Sequence, residues 1–468
     1  MRRNMSKQLL AAALAALFTA WLTAPAATAA PAATEPTTPI EHFVYMLQGD
    51  RSFDNYFGTY PGAEGIPPGT CQKRVVTGSD EDCVEPFPLH GTNIQALGAG
   101  NVELDNQYDE GRMDGFVAAY QNQGRDGRPV MGYYDQQDLP TYWGLANRYV
   151  LFDHFFSSTR SGERVNRSYW VSGSPPPTGA PKAVAADYAK HLTIFDRLQA
   201  AGVDWKFYVQ GYDPKQTYRT SSRTTPTTQP VRVPLLNYPR FIDNPALSSR
   251  IVDLSQYYRD LDSGKLPAVA YIASNGPSER STRSIASGQQ LVTNLVGSLM
   301  VSSAWKSSAF LLSYDGSGGW FDHVKPPQVD SQGYGMRVPA LLVSPYARPG
   351  HINSDVLDYT SALAFLERNW KLAPVASRDA AANSIRSAFD FEAGPRPADV
   401  RFTEPVVARP PVTSVAVVYW CYGAVLCLVV GLVVFAAVRS RRRSGTPPPA
   451  QPSVNGKTPR SVSVRAKI

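Results

Sequence analysis

Short apolar runs alternate with helical periodicity throughout residues 40–391. Each run has the length of a buried strand, and the segments between them repeat apolar residues at the three- and four-residue spacing of a helix. Strands are predicted at 42–47, 203–209, 267–273, 309–313 and 338–343, and helices at 193–201, 287–305 and 360–370. Apolar strands that alternate with helices predict an α/β domain, in which helices cover both faces of a mostly parallel sheet.

The N-terminal region has a different pattern. Residues 1–29 begin with Arg2, Arg3 and Lys7, continue with an apolar stretch and end in small residues, which is typical of a cleaved secretory signal. A signal that stays uncleaved as an anchor is the alternative. Residues 30–39 are a Pro/Ala/Thr-rich spacer that leads into the domain at 40–391.

A second long apolar stretch lies near the C-terminus, after a Pro-rich stalk at 392–411. Residues 415–438 carry no charge and are long enough for a bilayer core, which needs about 20 residues. This length disfavours a buried core helix, so we predict a transmembrane helix within 412–438. The tail at 439–468 is basic from Arg439 onward. Because such charges stay cytoplasmic, the pattern predicts a single-pass protein of the cell membrane with its domain outside.

The net charge of +7 belongs to the two ends of the chain. The signal holds three cations and the tail eight, and neither segment contains an acidic residue. Without these eleven cations the net charge is −4. A basic surface is the electrostatic signature of a nucleic-acid-binding domain, so nucleic acid is excluded as a predicted partner.

The four cysteines fall into two environments. Cys421 and Cys427 lie within the predicted membrane segment, whereas Cys71 and Cys83 lie in the domain predicted to be outside. An oxidising compartment favours a disulfide between the external pair. Zinc would need further ligands nearby, and His90 alone does not supply them.

Acidic residues and glycines follow several of the predicted strands. Asp50 comes after the first strand, Asp315 and Gly316 after the strand at 309–313, and Ser344 after the strand at 338–343. Ligand sites of open α/β sheets form beyond the carboxyl ends of their strands. The pattern therefore predicts a metal or phosphate site there, although each segment taken alone is more often a solvated turn.

Taken together, these motifs resemble the bacterial phosphoesterase family of non-specific phospholipases C and related acid phosphatases, which has the alkaline-phosphatase-like fold. The resemblance extends from about residue 41 to 370. The motifs are Arg51-Ser52-Phe53-Asp54, Met113-Asp114-Gly115-Phe116, Asn166-Arg167, Gly318-Gly319 with Asp322-His323-Val324, and Arg337-Val338-Pro339. Within them, Arg51, Asp54, Asn166 and Arg167 are expected to be structural. The resemblance implies hydrolysis of phosphoric esters.

The metal positions that the resemblance implies are partly substituted. The family has Glu-Asn before its first motif, where this chain has Gly49-Asp50. The family also has Asp-Glu after the late strand, where this chain has Asp315-Gly316. Glycine has no side chain with which to bind a metal. The site is therefore expected to hold either no metal or one divalent metal of unknown identity, bound by Asp50 and Asp315.

The reactive positions are substituted as well. Glu163 and Arg164 stand where the family has a Thr or Ser nucleophile and a His. Arg280, after Glu279, stands where the family has another His, whereas His323 is retained. Such hydrolysis needs a hydroxyl whose pKa a metal lowers. Glutamate offers no hydroxyl, and arginine stays cationic and binds no metal.

A site without its metal needs another source of positive charge, because its carboxylates would otherwise repel one another. We therefore predict a network of arginines and carboxylates. Its members are Asp50, Glu163, Arg164, Glu279, Arg280 and Asp315. The alternative is that these residues drifted after selection for catalysis relaxed and are simply exposed.

Two functions fit these substitutions. The first is a weak or inactive phosphoesterase-like domain that binds a phosphate-ester or lipid ligand, or an unknown protein partner, at the cell surface. The second is an active phosphatase or phospholipase C with a remodelled metal site that uses Asp50, Asp315 and His323. Serine-hydrolase, metalloprotease and P-loop activities are disfavoured, because the chain lacks the G-x-S-x-G, H-E-x-x-H and P-loop motifs.

The predicted topology can be tested with protease added to intact cells. We expect digestion of the domain at 40–391 and survival of the tail after Arg439, because only the domain is predicted to face outward. Immunoblots against each part measure this. Protection of the domain in intact cells, with digestion only after lysis, would contradict the orientation.

Overall fold

The computed structural model describes residues 34–74, 83–90, 97–98, 100–179, 185–220, 228–274, 279, 285–402, 427–432 and 435. Contacts divide the chain into two units, Met1–Val406 and Val407–Ile468. No helix among the described residues is long and apolar enough to cross a membrane. The predicted segment at 412–438 lies largely outside those residues, as do the signal and the tail, so these assignments stay predictions.

An eight-stranded sheet forms the centre of the first unit. Its strands, in spatial order, are β12 (His351–Asn353), β6 (Val150–Phe152), β11 (Ala340–Val343), β10 (Ser308–Tyr314), β1 (His42–Gln48), β9 (Val269–Ala273), β7 (Trp205–Val209) and β8 (Ile251–Asp253). Neighbouring strands are parallel except where β11 pairs with β10 and β6. The sheet is mixed and mostly parallel, which confirms the prediction for its central strands. The antiparallel direction of β11 was not predicted.

Helices of very different length connect the strands. The α-helices are α1 (Phe53–Phe57), α2 (Asn101–Tyr108), α3 (Phe116–Gln121), α4 (Pro140–Arg148), α5 (Glu163–Ser172), α6 (Ala185–Lys190), α7 (Ile194–Ala200), α8 (Gln229–Arg232), α9 (Pro239–Asp243), α10 (Pro245–Ser248), α11 (Ser255–Asp262), α12 (Ile285–Val301), α13 (Tyr359–Asn369) and α14 (Ser377–Ala381). The predicted helices at 193–201, 287–305 and 360–370 correspond to α7, α12 and α13. The predicted helix at 287–305 ends earlier than expected, because residues Ser303–Ser307 form a 3-10 turn.

The centre of the sheet is fully buried. Residues 43–47 of β1 have no exposed surface, and β10, which is parallel to β1, is buried along its whole length. A strand that is buried on both faces is a nearly continuous apolar run rather than an alternating one. The two strands end in register, with Gln48 opposite Tyr314. The residues that follow them are therefore neighbours at one edge of the sheet.

The helix α5 is fixed over the sheet by an aromatic contact. The ring of Trp170 lies 5.7 Å from the ring of Tyr45 on β1 and 4.8 Å from that of Tyr271 on β9. The helix ends at Gly173, whose left-handed backbone (φ 63°) suits a residue without a side chain. This packing directs the N-terminal turn of α5 toward the carboxyl ends of the strands.

The expected disulfide is present between Cys71 and Cys83, whose Cα atoms lie 5.7 Å apart. It joins two short strands, β2 (Gln72–Lys73) and β3 (Cys83–Val84), which pair in antiparallel fashion. The remaining short strands, β4 (Phe87–Pro88) and β5 (Gly132–Tyr133), pair in parallel. Closing a loop of this length is worth about 3 kcal/mol in the chain-entropy model.

A buried pair of carboxyl groups makes the stability of the fold depend on pH. Glu367 on α13 and Asp379 on α14 both accept from the backbone N–H of Val375, at 3.0 and 2.7 Å. Burial, with the neighbouring Asp379, raises the pKa of Glu367 to about 9. The folded chain therefore retains a proton that the unfolded chain releases near its ordinary pKa of 4.5.

This difference predicts that the free energy of unfolding falls as the pH rises from about 4.5 to 9. In that range the unfolded state binds fewer protons than the folded one. Glu367→Gln should reduce the slope of the free energy of unfolding against pH, because glutamine stays neutral at this position in both the folded and the unfolded state. Urea unfolding at several pH values measures it. Glu392→Gln, at an exposed position, is the control and should keep the slope of the unmodified chain; equal slopes in all three proteins would contradict the prediction.

Candidate functional site

A cavity of about 160 Å³ opens where β1 and β10 end. Residues that follow these two strands form one wall, and the segment that leads into α5 forms another. The lining residues are Asp50, Gly98, Leu104, Ser157, Thr159, Arg160, Ser161, Gly162, Glu163, Asp315, Gly316, Ser317, Gly318 and Met336. This position is the carboxyl edge of the parallel strands, as the sequence predicts for a ligand site.

Asp50 and Asp315 meet directly in this cavity. The backbone N–H of Asp50 donates to Oδ1 of Asp315 at 3.2 Å, and the N–H of Asp315 donates to the carbonyl of Gln48 at 2.9 Å. Asp50 has a left-handed backbone (φ 56°), a conformation that Asp and Asn adopt more readily than most residues. Gly318 comes so close that a Cβ there would lie 2.5 Å from the Cβ of Asp50. The turn after β10 therefore requires glycine at this position.

The helix α5 brings Arg167 between two carboxylates. Its guanidinium is 2% exposed and lies 2.8 Å from Oδ2 of Asp315 through Nη2, and 3.1 Å from Oε1 of Glu163 through Nε. Glu163 and Arg167 are four residues apart and so share one face of the helix. Glu163 also lies in the first turn, where the helix dipole favours an acidic residue. A buried cation thus joins the acidic groups of the cavity.

Of the predicted network, Asp50, Glu163 and Asp315 line the cavity, whereas Arg164 and Glu279 do not. Arg164 is exposed on α5, and its Nη2 donates to the hydroxyl of Tyr188 at 3.3 Å, away from the residues that line the cavity. Consecutive helix residues point about 100° apart, so Arg164 points away from Glu163, which precedes it. Arg280 lies outside the described residues. Arg167, expected to be only structural, provides the cation.

Glu279 belongs to a separate buried cluster. Its carboxylate accepts from the hydroxyls of Tyr56 at 2.7 Å and Tyr314 at 2.9 Å, and from the hydroxyl of Tyr142. Nη2 of Arg51 donates to its backbone carbonyl. Burial raises the pKa of Glu279. The three tyrosines surround the carboxylate, and Glu279 does not line the cavity.

Asp54, Asp322 and His323 form a second group, whose side-chain ligand atoms are close enough together to hold a metal ion. Nδ1 of His323 lies 2.7 Å from Oδ2 of Asp54. The guanidinium of Arg337, which is fully buried, lies within the same group. Its Nη2 is 3.0 Å from Oδ1 of Asp54, and its Nε is 2.8 Å from Oδ1 of Asp322. Arg337 therefore supplies positive charge that a metal would otherwise provide.

The electrostatics of this second group follow from its burial. Burial raises the pKa of Asp322 to about 6, against the opposing effect of Arg337. Burial lowers the pKa of His323, but the hydrogen bond with Asp54 and the negative charges of Asp54 and Asp322 together outweigh it, so that this pKa is raised. The carboxylates of Asp54 and Asp322 depend on Arg337 and His323 for charge balance.

The partners of Arg337 and Arg167 were not predicted from the sequence. Arg337 was recognised only as part of the motif Arg337-Val338-Pro339, and the sequence does not reveal that it meets Asp54, which is far away along the chain. A signal for Arg167 was present, because its four-residue separation from Glu163 predicts an ion pair on one helix face.

These features define an α/β protein with an acidic ligand cavity at the carboxyl ends of its central strands. The Phosphoesterase family model matches residues 40–373, which is more than half of the chain. The chain therefore belongs to the phosphoesterase family. This confirms the family predicted from the motifs.

Several relatives are phospholipases C. Phospholipase C A of Mycobacterium tuberculosis (strain ATCC 25618 / H37Rv) is 29% identical over 434 residues, which cover 80% of this chain and 82% of that protein. Hemolytic phospholipase C of Pseudomonas aeruginosa is 27% identical over 431 residues, which cover 75% of this chain and 56% of that protein. Among solved structures, an alkaline phosphatase superfamily protein from Vibrio parahaemolyticus is similar at a TM-score of 0.35 with 13% identity, over 72% of this chain and 68% of that one. That likeness is too distant to carry an argument.

The role of Arg337 can be tested by removing its charge. Arg337→Leu should reduce the free energy of unfolding by about 3–5 kcal/mol, because it leaves the buried carboxylates of Asp54 and Asp322 without the guanidinium that pairs with both. Denaturant unfolding measures this loss. Arg219→Leu is the matched control, since Arg219 pairs with Asp243 on the surface and both are about half exposed. The free energy of unfolding should change little in the control. Similar losses of stability in both variants would contradict the role assigned to Arg337.

Proposed function

We propose that this chain is a cell-surface member of the phosphoesterase family whose strand-end cavity binds a ligand or partner with little or no hydrolysis of phosphate esters. Membrane anchoring through 412–438 is part of the proposal. The observation that carries it is the contact of one guanidinium, that of Arg167, with both Asp315 and Glu163.

Arg167 competes with a metal for the same carboxylate. Oδ2 of Asp315 accepts from Arg167, and Oδ1 accepts from the backbone of Asp50. A divalent cation would have to displace the first of these contacts and would lie against a fixed positive charge. These contacts support a site without the family's metal.

Glu163 argues against a covalent mechanism. It stands where the resemblance places the nucleophilic hydroxyl, and its carboxylate is paired with Arg167. A phosphoryl group that entered the cavity would meet this carboxylate together with those of Asp50 and Asp315. Like charges in one small site disfavour a dianionic phosphoryl group unless it lies beside a cation such as Arg160, which lines the same cavity.

The relatives suggest the class of ligand. They are named phospholipases C, so we propose a phosphate ester or a lipid headgroup. The hydroxyl-bearing residues Thr159, Ser161 and Ser317 line the cavity and provide polar contacts. Arg160 lies at the same wall, with its guanidinium stacked 3.9 Å from the ring of Tyr108. A small polar group fits the cavity volume of about 160 Å³.

An active hydrolase with a remodelled metal site is the second candidate. One observation favours it. Ser317 is 3% exposed and lines the cavity two residues after Asp315, and its hydroxyl oxygen has no hydrogen-bond partner in the part of the chain that the structure describes. A hydroxyl next to carboxylates is what a metal-activated nucleophile requires. Ser161, two residues before Glu163, is an alternative hydroxyl in the same cavity. A metal at Asp50 and Asp315 would have to displace Arg167.

Hydrolysis assays distinguish the two candidates. The purified protein should hydrolyse p-nitrophenyl phosphate and phosphatidylcholine at rates near background, with or without added divalent metal. Each missing catalytic group typically costs about 10²–10⁴ in rate, and groups that act together fail together. Metal-dependent turnover that disappears in Asp315→Ala would instead establish the remodelled enzyme.

Restoring the residues that the family carries tests the same proposal in the opposite direction. The triple variant Asp50→Asn, Glu163→Thr and Gly316→Glu should bind divalent metal more tightly than the unmodified chain, as measured by calorimetry. Position 316 has room, because a Cβ there would lie 3.8 Å from Asn166 and 3.9 Å from Asp50. Arg164→His is the control, because Arg164 faces Tyr188 and not the cavity. This variant should bind divalent metal no more tightly than the unmodified chain. Equal affinity in all three proteins would contradict the proposal.

A further inference from the structure

His154 and His323 both face the carboxylate of Glu64, which is partly exposed to solvent. His323 also belongs to the group that it forms with Asp54 and Asp322. Nε2 of His154 lies 2.8 Å from Oε2 of Glu64, and Nε2 of His323 lies 3.9 Å from Oε1 of the same carboxylate. The histidine side chains are 20% and 16% exposed, and that of Glu64 is 51% exposed. The three side chains come from different segments, after α1, after β6 and after β10.

The other ring nitrogen of each histidine, Nδ1, lies near the carboxylate of an aspartate. Nδ1 of His323 lies 2.7 Å from Asp54, and Nδ1 of His154 lies 3.6 Å from Oδ1 of Asp153. A histidine that ligates a metal almost always donates its other N–H to a carboxylate or a carbonyl, which fixes the ring and makes the ligating nitrogen more basic. Both histidines therefore direct Nε2, the nitrogen available for a metal, toward Glu64.

The contact between His154 and Asp153 is incomplete. Nδ1 of His154 and Oδ1 of Asp153 are both buried, and neither has a hydrogen-bond partner among the described residues. An unsatisfied buried polar atom costs about 1–3 kcal/mol, yet a donor and an acceptor lie here within 3.6 Å of each other. We expect ligation of a metal by Nε2 to reorient the His154 ring and bring these two atoms within hydrogen-bond distance.

The backbone of Glu64 is held in place while its side chain is left accessible. Its N–H donates to Oδ2 of Asp153 at 3.0 Å, and its carbonyl accepts from Nη1 of Arg337 at 2.8 Å. The same Nη1 also donates to the carbonyl of Asp153 at 2.9 Å. Rotation of the Glu64 side chain alone can therefore bring its carboxylate closer to Nε2 of His323.

From this geometry we infer a Zn²⁺ site formed by His154, His323 and Glu64. Two imidazoles and a carboxylate are a common zinc ligand set, with a fourth position left for water or another ligand. The charge around the site also favours a divalent cation. The carboxylates of Glu64, Asp54, Asp153 and Asp322 lie near one another, and Arg337 pairs with two of them, those of Asp54 and Asp322. The site is distinct from the strand-end cavity, and none of its three ligands lines that cavity.

Bound Zn²⁺ would join three segments that are distant along the chain. The turn that carries Glu64, the end of β6 and the segment after β10 would share one ion. Because ligand atoms lie 2.0–2.2 Å from zinc, binding draws the histidine nitrogens and the carboxylate together. The ion therefore stabilises this edge of the fold, and melting should show it independently of any hydrolytic activity.

The site can be tested with full-length protein that carries no histidine tag and has Cys421 and Cys427 replaced by serine, so that their thiols bind no zinc. After removal of metal with a chelator, competition with a chromophoric zinc indicator should detect one Zn²⁺ per chain. Affinity should fall at least tenfold in His154→Asn and in Glu64→Gln. Asp153→Asn, which alters the carboxylate that lies beside His154 and accepts from the backbone of Glu64, should lose about 10–100-fold.

His90→Asn is the matched control. His90 lies next to Asp135 and Asp138 on the surface, in another arrangement whose ligand atoms are close together. Zinc affinity should be unchanged in this variant, and the visible spectrum of bound Co²⁺ should be that of a tetrahedral site and disappear in His154→Asn. The inference is overturned if no Zn²⁺ binds, if His154→Asn and Glu64→Gln bind it as the parent does, or if His90→Asn abolishes binding.

Discussion

Two buried guanidinium groups hold together the carboxylates that gather beyond the central sheet. Parallel strands deliver their following residues to one edge, and in this chain many of those residues are acidic. A buried carboxylate without a partner is costly, so the edge is stable only if fixed cations lie among the acids. Arg167 supplies this charge between Asp315 and Glu163, and Arg337 between Asp54 and Asp322.

The two arginines fit this role because of their geometry. A guanidinium presents several donors in one plane, so it can bond two carboxylates and backbone carbonyls together. Arg337 does so with Asp54, Asp322 and the carbonyls of Glu64 and Asp153. It thereby joins the start of α1, the turn that follows it, the end of β6 and the segment after β10. Lysine, with a single ammonium, could not span these contacts.

Much of the fold could be predicted from the sequence, because the apolar runs along the chain coincide with the buried strands of the central sheet. The apolar runs at 42–47 and 309–313 proved to be β1 and β10. Because these two strands pair in parallel, Asp50 and Asp315, which follow them, also lie next to each other. The short strands β6 and β12 were not predicted, since three residues carry too little periodicity. The direction of β11 was also missed, because an apolar run contains no information about parallel or antiparallel pairing.

The site was predicted less completely, for a related reason. Motif resemblance identifies which positions lie near a site, but the partner of a charged side chain depends on three-dimensional direction. Arg164 and Arg167 differ by less than one helical turn, yet one faces Tyr188 at the surface and the other Asp315 in the interior. Substitution of a family residue therefore cannot by itself identify the group that replaces a metal's charge. In this chain the guanidinium that contacts both Asp315 and Glu163 belongs to Arg167, a motif residue that the sequence marked only as structural.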